Sequence, residues 1–156
     1  MRIKRLDLIA FGPFTDQTLV FDSKGPGLTI IFGPNEAGKS SSLRALKSLL
    51  YGIPERTPDN FLHPNDQLLL GGCLKADDGE QLTFLRRKRR KTCLFDAHDN
   101  PLSPEALLPF IRGVEQDEFE TLYGIDHEAL VRGGRDILAQ KGEVGQALFR
   151  QEPASH

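Results

Sequence analysis

Apolar side chains at Ile3, Leu6, Leu8, Ile9 and Phe11 mark a first extended segment, and residues 18–21 (TLVF) mark a second, with Gly12-Pro13 between them. The two read as paired strands. After the turn-forming stretch Lys24-Gly25-Pro26-Gly27 comes Leu28-Thr29-Ile30-Ile31-Phe32, a continuous apolar and β-branched run of the kind covered on both faces of a sheet. It is the prime core-strand candidate. Beyond a glycine-rich loop, Leu43, Leu46, Leu49 and Leu50 recur at helical spacing until Gly52 ends the pattern, so the order is strand, glycine loop, helix.

Residues 52–66 (GIPERTPDNFLHPND) hold three prolines and several turn formers, which predicts a long irregular surface loop. Residues 68–76 and 81–87 flank Asp77-Asp78-Gly79-Glu80 as a hairpin, with Gly71-Gly72 suggesting a bulge, and residues 92–95 add a further short strand. Ser103-Pro104-Glu105 starts a helix that Pro109 keeps short. A second helix runs from Glu115 to Tyr123, closed by Gly124, with Phe119 and Tyr123 on one face as core residues. The tail from Asp126 to Phe149 is weakly helical and cut by Gly133-Gly134 and Gly142.

Composition narrows the class. A chain of 156 residues with 38% apolar and 27% charged residues is a foldable globular unit. The net charge of −2 argues against a domain that is basic all over. Cys73 and Cys93 share no short metal-ligand spacing and are too few for a disulfide scaffold; they read as buried small hydrophobes in a reducing, cytoplasmic setting. No run approaches the roughly 18 apolar residues that span a bilayer, so no membrane association is expected.

The chemistry concentrates in Gly33-Pro34-Asn35-Glu36-Ala37-Gly38-Lys39-Ser40, which matches G-x-x-x-x-G-K-[S/T]. Its glycines allow backbone angles that turn successive N–H groups onto phosphate oxygens, and the following helix adds its positive dipole end. Lys39 would reach the β and γ phosphates, the Ser40 hydroxyl would enter the shell of a Mg²⁺, and Ser41 completes the loop contacts. A guanine-reading N-K-x-D is absent after the loop, and no four-residue apolar run ending in Asp follows Ser40, so the carboxylates that hold the metal and polarise water are missing. The site looks half-built.

The opening I-x-x-L-x-L-x-x-F-G-x-F (Ile3 to Phe14), the P-loop and its helix resemble the N-terminal head segment of SMC, SbcC and RecF-type ATPases of the ABC class. Tyr51-Gly52-Ile53-Pro54-Glu55-Arg56-Thr57-Pro58 with Phe61-Leu62-His63-Pro64, and Tyr123-Gly124-Ile125-Asp126 with Gly133-Gly134, look most like the YhaN-like branch. The resemblance implies an α/β P-loop NTPase lobe, a mixed β-sheet around the P-loop helix with an antiparallel hairpin and a small helical C-terminal part. Residues 1–150 would form the lobe, and 151–156 a disordered tail or the start of a coiled coil. It implies ATP and Mg²⁺ as cofactors, and as partners the protein's own C-terminal lobe, a second head, DNA and an SbcD-like nuclease subunit. The expected activity is ATP-driven head dimerisation in DNA repair or processing, with the isolated chain binding nucleotide but hydrolysing it poorly. Two departures stand out. Gly12 occupies the position where many relatives carry a nucleotide-touching Arg, and the position of a metal-sensing glutamine, eight residues past Phe119, holds His127 beside Asp126. Either Asp126 or His127 takes the sensor role through water, or Asp126 caps a short helix next to a solvated His127.

The remaining signal is Arg86-Arg87-Lys88-Arg89-Arg90-Lys91. Without these six cations, 14 remain against 22 acids, so DNA affinity would have to be local to the run. DNA phosphate contact competes with a solvated hairpin end or a dock for an acidic partner. His63 either touches nucleotide or is fixed by local packing. Two other function classes stay open: a nucleotide-independent DNA-binding or scaffold module, and a small P-loop kinase with the basic run as lid.

Overall fold

The computed structural model describes residues 1–21, 28–90, 93–124 and 127–138. They fall into two compact units, divided between Gln116 and Asp117. In the first, strands β1 (Arg2–Phe11), β2 (Phe14–Val20), β3 (Leu69–Lys75), β4 (Gln81–Arg87) and β5 (Leu94–Phe95) build a five-stranded sheet in the order β2-β1-β3-β4-β5. Every pairing is antiparallel, so the mixed sheet expected from the resemblance is corrected: the described residues are α/β with an antiparallel sheet.

Helix α1 (Lys39–Tyr51) covers one face of this sheet. Strand alternation puts Leu6 and Leu8 of β1, Leu70 and Leu74 of β3 and Phe84 of β4 on that face, where all are buried with Ala45 and Leu49 of the helix. Gly72 lies between Leu6 and Phe84 in register, and a Cβ there would stand 2.5 Å from Leu49 Cδ2. The expected bulge at Gly71-Gly72 is therefore corrected. The β3–β4 register runs unbroken, the irregularities lie on β1, and Gly72 serves the close approach of α1. On the opposite face Arg5 donates to Asp7 at 2.9 Å and Thr18 to the same carboxylate at 2.9 Å, a polar surface.

Residues 28–32 depart most from expectation. They form no strand, and Leu28, Ile30 and Phe32 are 86%, 71% and 90% exposed. An extended segment becomes a core strand only where neighbours satisfy its amides and cover its side chains. Among the described residues, no strand flanks this one. Pro104–Leu107 forms a 3-10 turn that runs directly into α2 (Leu108–Ile111), so Pro109 lies within the first turn of α2. Cys73 and Cys93 are half-buried, not core residues.

The second unit is described by helices α3 (Gln116–Leu122), which begins at its border, and α4 (His127–Leu138). Helix α3 has no buried residue, Phe119 is half-buried and Tyr123 is 68% exposed, so the expected core role of Phe119 and Tyr123 is corrected; their ring centroids lie 5.9 Å apart. Helix α4 continues through Gly133-Gly134, which were expected to cut it. Residues 151–156 lie outside the described residues. No helix among the described residues is long and apolar enough to cross a membrane.

Candidate nucleotide-binding site

The glycine loop ends where α1 begins. Glu36 (φ 66°) and Gly38 (φ 85°) both take left-handed backbone angles, which lets the chain double back over residues 34–38 before the helix starts at Lys39. A side chain at Gly38 is excluded on two counts: the backbone angle, and the Phe14 ring, whose Cζ stands against the place a Cβ would take. Gly38 offers no capping side chain, so the first-turn amides of α1 keep their donors for an anion. Lys39 Nζ folds over the loop and donates to the carbonyls of Gly33 at 2.8 Å and Pro34 at 2.7 Å. Its ammonium therefore stays at the loop and at solvent, where phosphate oxygens can replace the carbonyls. Ser40 is exposed beside it, a hydroxyl of the hard-oxygen type that suits Mg²⁺. Ser41 is buried instead, its Oγ accepting from Arg44 at 2.9 Å.

Arg44 extends this support. It donates to both carboxylate oxygens of Asp59 at 2.7 Å, and Asp59, 0% exposed, accepts the Gly12 amide on its own carbonyl at 2.8 Å. The hydrogen bond to Asp59 is the main cause that raises the Arg44 pKa. Gly12 (φ 57°) is wedged so tightly that a Cβ would lie 3.1 Å from Asp59 Oδ1 and 3.2 Å from Ser41 Cβ. Gly12 is therefore a packing position. His63 Nε2 lies 3.0 Å from Thr15 Oγ1 and 2.9 Å from the Phe14 carbonyl, so this histidine is fixed by local hydrogen bonds to β2. Between these supports opens a cavity of about 320 Å³ lined by Pro13, Asn35, Glu36, Gly38, Lys39, Ser40, Ser41 and Phe61.

The basic run does not form one patch. Arg86, on the inner face of β4, is 6% exposed and donates to the α1 carbonyls of Leu49 at 2.7 Å and Leu50 at 3.0 Å. It closes the helix C-terminus, and burial pushes its pKa down to about 10. Its candidacy as a DNA contact is corrected on that ground. Arg87 pairs with Asp99 at 3.0 Å and stacks over Phe95 at 5.0 Å, and Arg89 stacks over the same ring at 5.3 Å. Lys88 donates to the Glu55 carbonyl and to Asn65. Arg89 and Arg90 are exposed, and Lys91 lies outside the described residues. Of the sensor pair, Asp126 is likewise outside them, and His127 is an exposed residue opening α4 in the second unit. No cluster of three or more His, Cys, Asp or Glu able to hold a metal occurs among the described residues.

The family profile described as an AAA domain, AAA_27, matches residues 1–155. The chain belongs to this AAA-domain family. Among curated relatives of this AAA domain is the uncharacterized protein YhaN of Bacillus subtilis strain 168, 25% identical over 154 residues. That match covers 96% of this chain, which spans 15% of the relative's length.

Three parts of the site in this AAA domain were not anticipated. Asp59 carries no signal in sequence beyond lying in a turn-rich loop, and Arg44 looks like an ordinary polar position of an amphipathic helix. Phe61 offered one cue, an aromatic residue in a loop otherwise made of turn formers.

Proposed function

We propose that this AAA domain is the ATP·Mg²⁺-binding half of an SMC- and SbcC-like ATPase head of the YhaN-like branch, a P-loop NTPase lobe whose turnover requires a second lobe. The carrying observation is the loop itself: Lys39 held over its own carbonyls at the start of α1, with the exposed Ser40 beside it. A polyphosphate entering there exchanges the Gly33 and Pro34 carbonyls for its own oxygens at Lys39, while the α1 amides meet the phosphate nearest the helix. Mg²⁺, when bound, neutralises charge on the terminal phosphates. Ser40 is the oxygen ligand this chain offers the metal, and the missing carboxylates would come from the C-terminal lobe, with a second head completing the site.

The uncovered run at residues 28–32 supports the same division. Its exposed apolar side chains, in a segment that joins no strand of the sheet among the described residues, suit a strand completed by the protein's own C-terminal lobe. In the whole protein, nucleotide-driven head dimerisation would serve DNA repair or processing with an SbcD-like nuclease subunit in the cytoplasm, and Arg89 and Arg90 are, among the described residues, the exposed cations of the basic run for a phosphate backbone.

Calorimetry with MgATP tests the binding step. The expected result is saturable binding that Lys39→Ala abolishes, with phosphate release by the wild-type chain no faster than by that variant. Wild-type turnover well above the Lys39→Ala level, or no MgATP binding, defeats the proposal.

A further inference from the structure

The cavity beside the P-loop has two chemically different walls. Gly38, Lys39 and Ser40 supply amides, an ammonium and a hydroxyl, whereas Pro13 and Phe61 supply apolar surface. Phe61 is 68% exposed although it lies two residues from each of two fixed points. On one side Asp59 is fully buried and held by both Arg44 bonds at 2.7 Å. On the other, His63 is bonded to the Phe14 carbonyl at 2.9 Å. The backbone on either side of this aromatic residue is thus anchored, and the ring lines the cavity with most of its surface in water. Water is a poor neighbour for that surface, and a flat heteroaromatic ring is a good one.

We infer that Phe61 receives the base of the bound nucleotide by stacking, so that the cavity takes a nucleoside polyphosphate with the phosphates on the P-loop and the base on the ring. The inference rests on the nucleotide-binding reading above and adds the residue that separates a nucleotide from a bare polyphosphate. Stacking on a phenyl face needs no hydrogen-bond pattern, so the interaction itself favours large π surfaces over any one base.

The test compares MgATP with Mg-tripolyphosphate, which carries the same phosphate chain and no base. Phe61→Ala is expected to weaken MgATP at least about fivefold and to leave tripolyphosphate unchanged, the lower end of what base stacking on an aromatic residue contributes. Phe61→Tyr should restore MgATP binding. Because the chain contains no tryptophan, Phe61→Trp creates a single fluorophore at this position. Its emission should be quenched by MgATP and not by tripolyphosphate. Equal losses of both ligands in Phe61→Ala, unchanged binding of both, or equal quenching by both overturns the assignment of Phe61 and leaves the P-loop reading standing. Failure of the wild-type chain to bind either ligand overturns the nucleotide reading and this inference with it.

Discussion

Arg44 and Asp59 are 15 residues apart in sequence, yet the guanidinium reaches both carboxylate oxygens at 2.7 Å. The pair ties the P-loop helix to the irregular loop that follows it, and through the Asp59 carbonyl it also holds the Gly12 turn. Three elements of the candidate site therefore meet at one buried residue, Arg44 on its carboxylate and Gly12 on its backbone carbonyl.

Asp59→Ala should lower stability by roughly 1–3 kcal/mol, less than a fully buried pair would lose because the Arg44 side chain is 41% exposed and can be solvated. Urea denaturation measures this. The variant should also weaken MgATP binding, since Arg44, which donates to Ser41 beside the P-loop, loses its anchor in the following loop. Unchanged stability would show that the pair contributes nothing net.

Arg86 and the exposed cations of the basic run should separate cleanly. Arg86→Ala strips the Leu49 and Leu50 carbonyls of their donor and should cost about 2–4 kcal/mol in thermal or chemical unfolding. An Arg89→Ala, Arg90→Ala double variant should lose no more than about 1 kcal/mol, the contact of Arg89 with the Phe95 ring. If the run meets DNA, that double variant flattens the dependence of affinity on salt, by about one unit in log–log slope for each phosphate deprived of its cation. Duplex binding measured across a salt series checks this arm.

Acid stability should depend on Asp96. A side-chain hydrogen bond from Asn100, with further bonds from the Asn100 and His98 amides, lowers its pKa. A depressed carboxylate binds fewer protons folded than unfolded, so its contribution is complete above the ordinary Asp value of about 4. It disappears as the pH falls through the lower folded value. Asp77 follows the same sign, its pKa lowered first by the hydrogen bond from the N-terminal amine and then by the charge of Arg112. The melting temperature of Asp96→Asn should therefore fall less steeply than that of the wild type below about pH 4. Parallel acid limbs for the two proteins would contradict the assignment.

What the sequence determined by itself was local. The Gly38-Lys39-Ser40 motif, the helix ended by Gly52 and the hairpin over Asp78-Gly79 depend on backbone angles and short-range hydrogen bonds, which neighbouring residues dictate. Tertiary structure decided what each side chain was left to do. Leu28, Ile30 and Phe32 look like a core strand in sequence and lie in solvent because burial requires a partner strand, and none flanks them among the described residues. Arg86 looks like its five basic neighbours and is buried because β4 aims it at the end of α1, 37 residues away. Phe61 acquires its place from Asp59 and His63, whose partners lie 15 and 49 residues off along the chain. Such packing depends on distance in space, and periodicity along one chain carries no record of it.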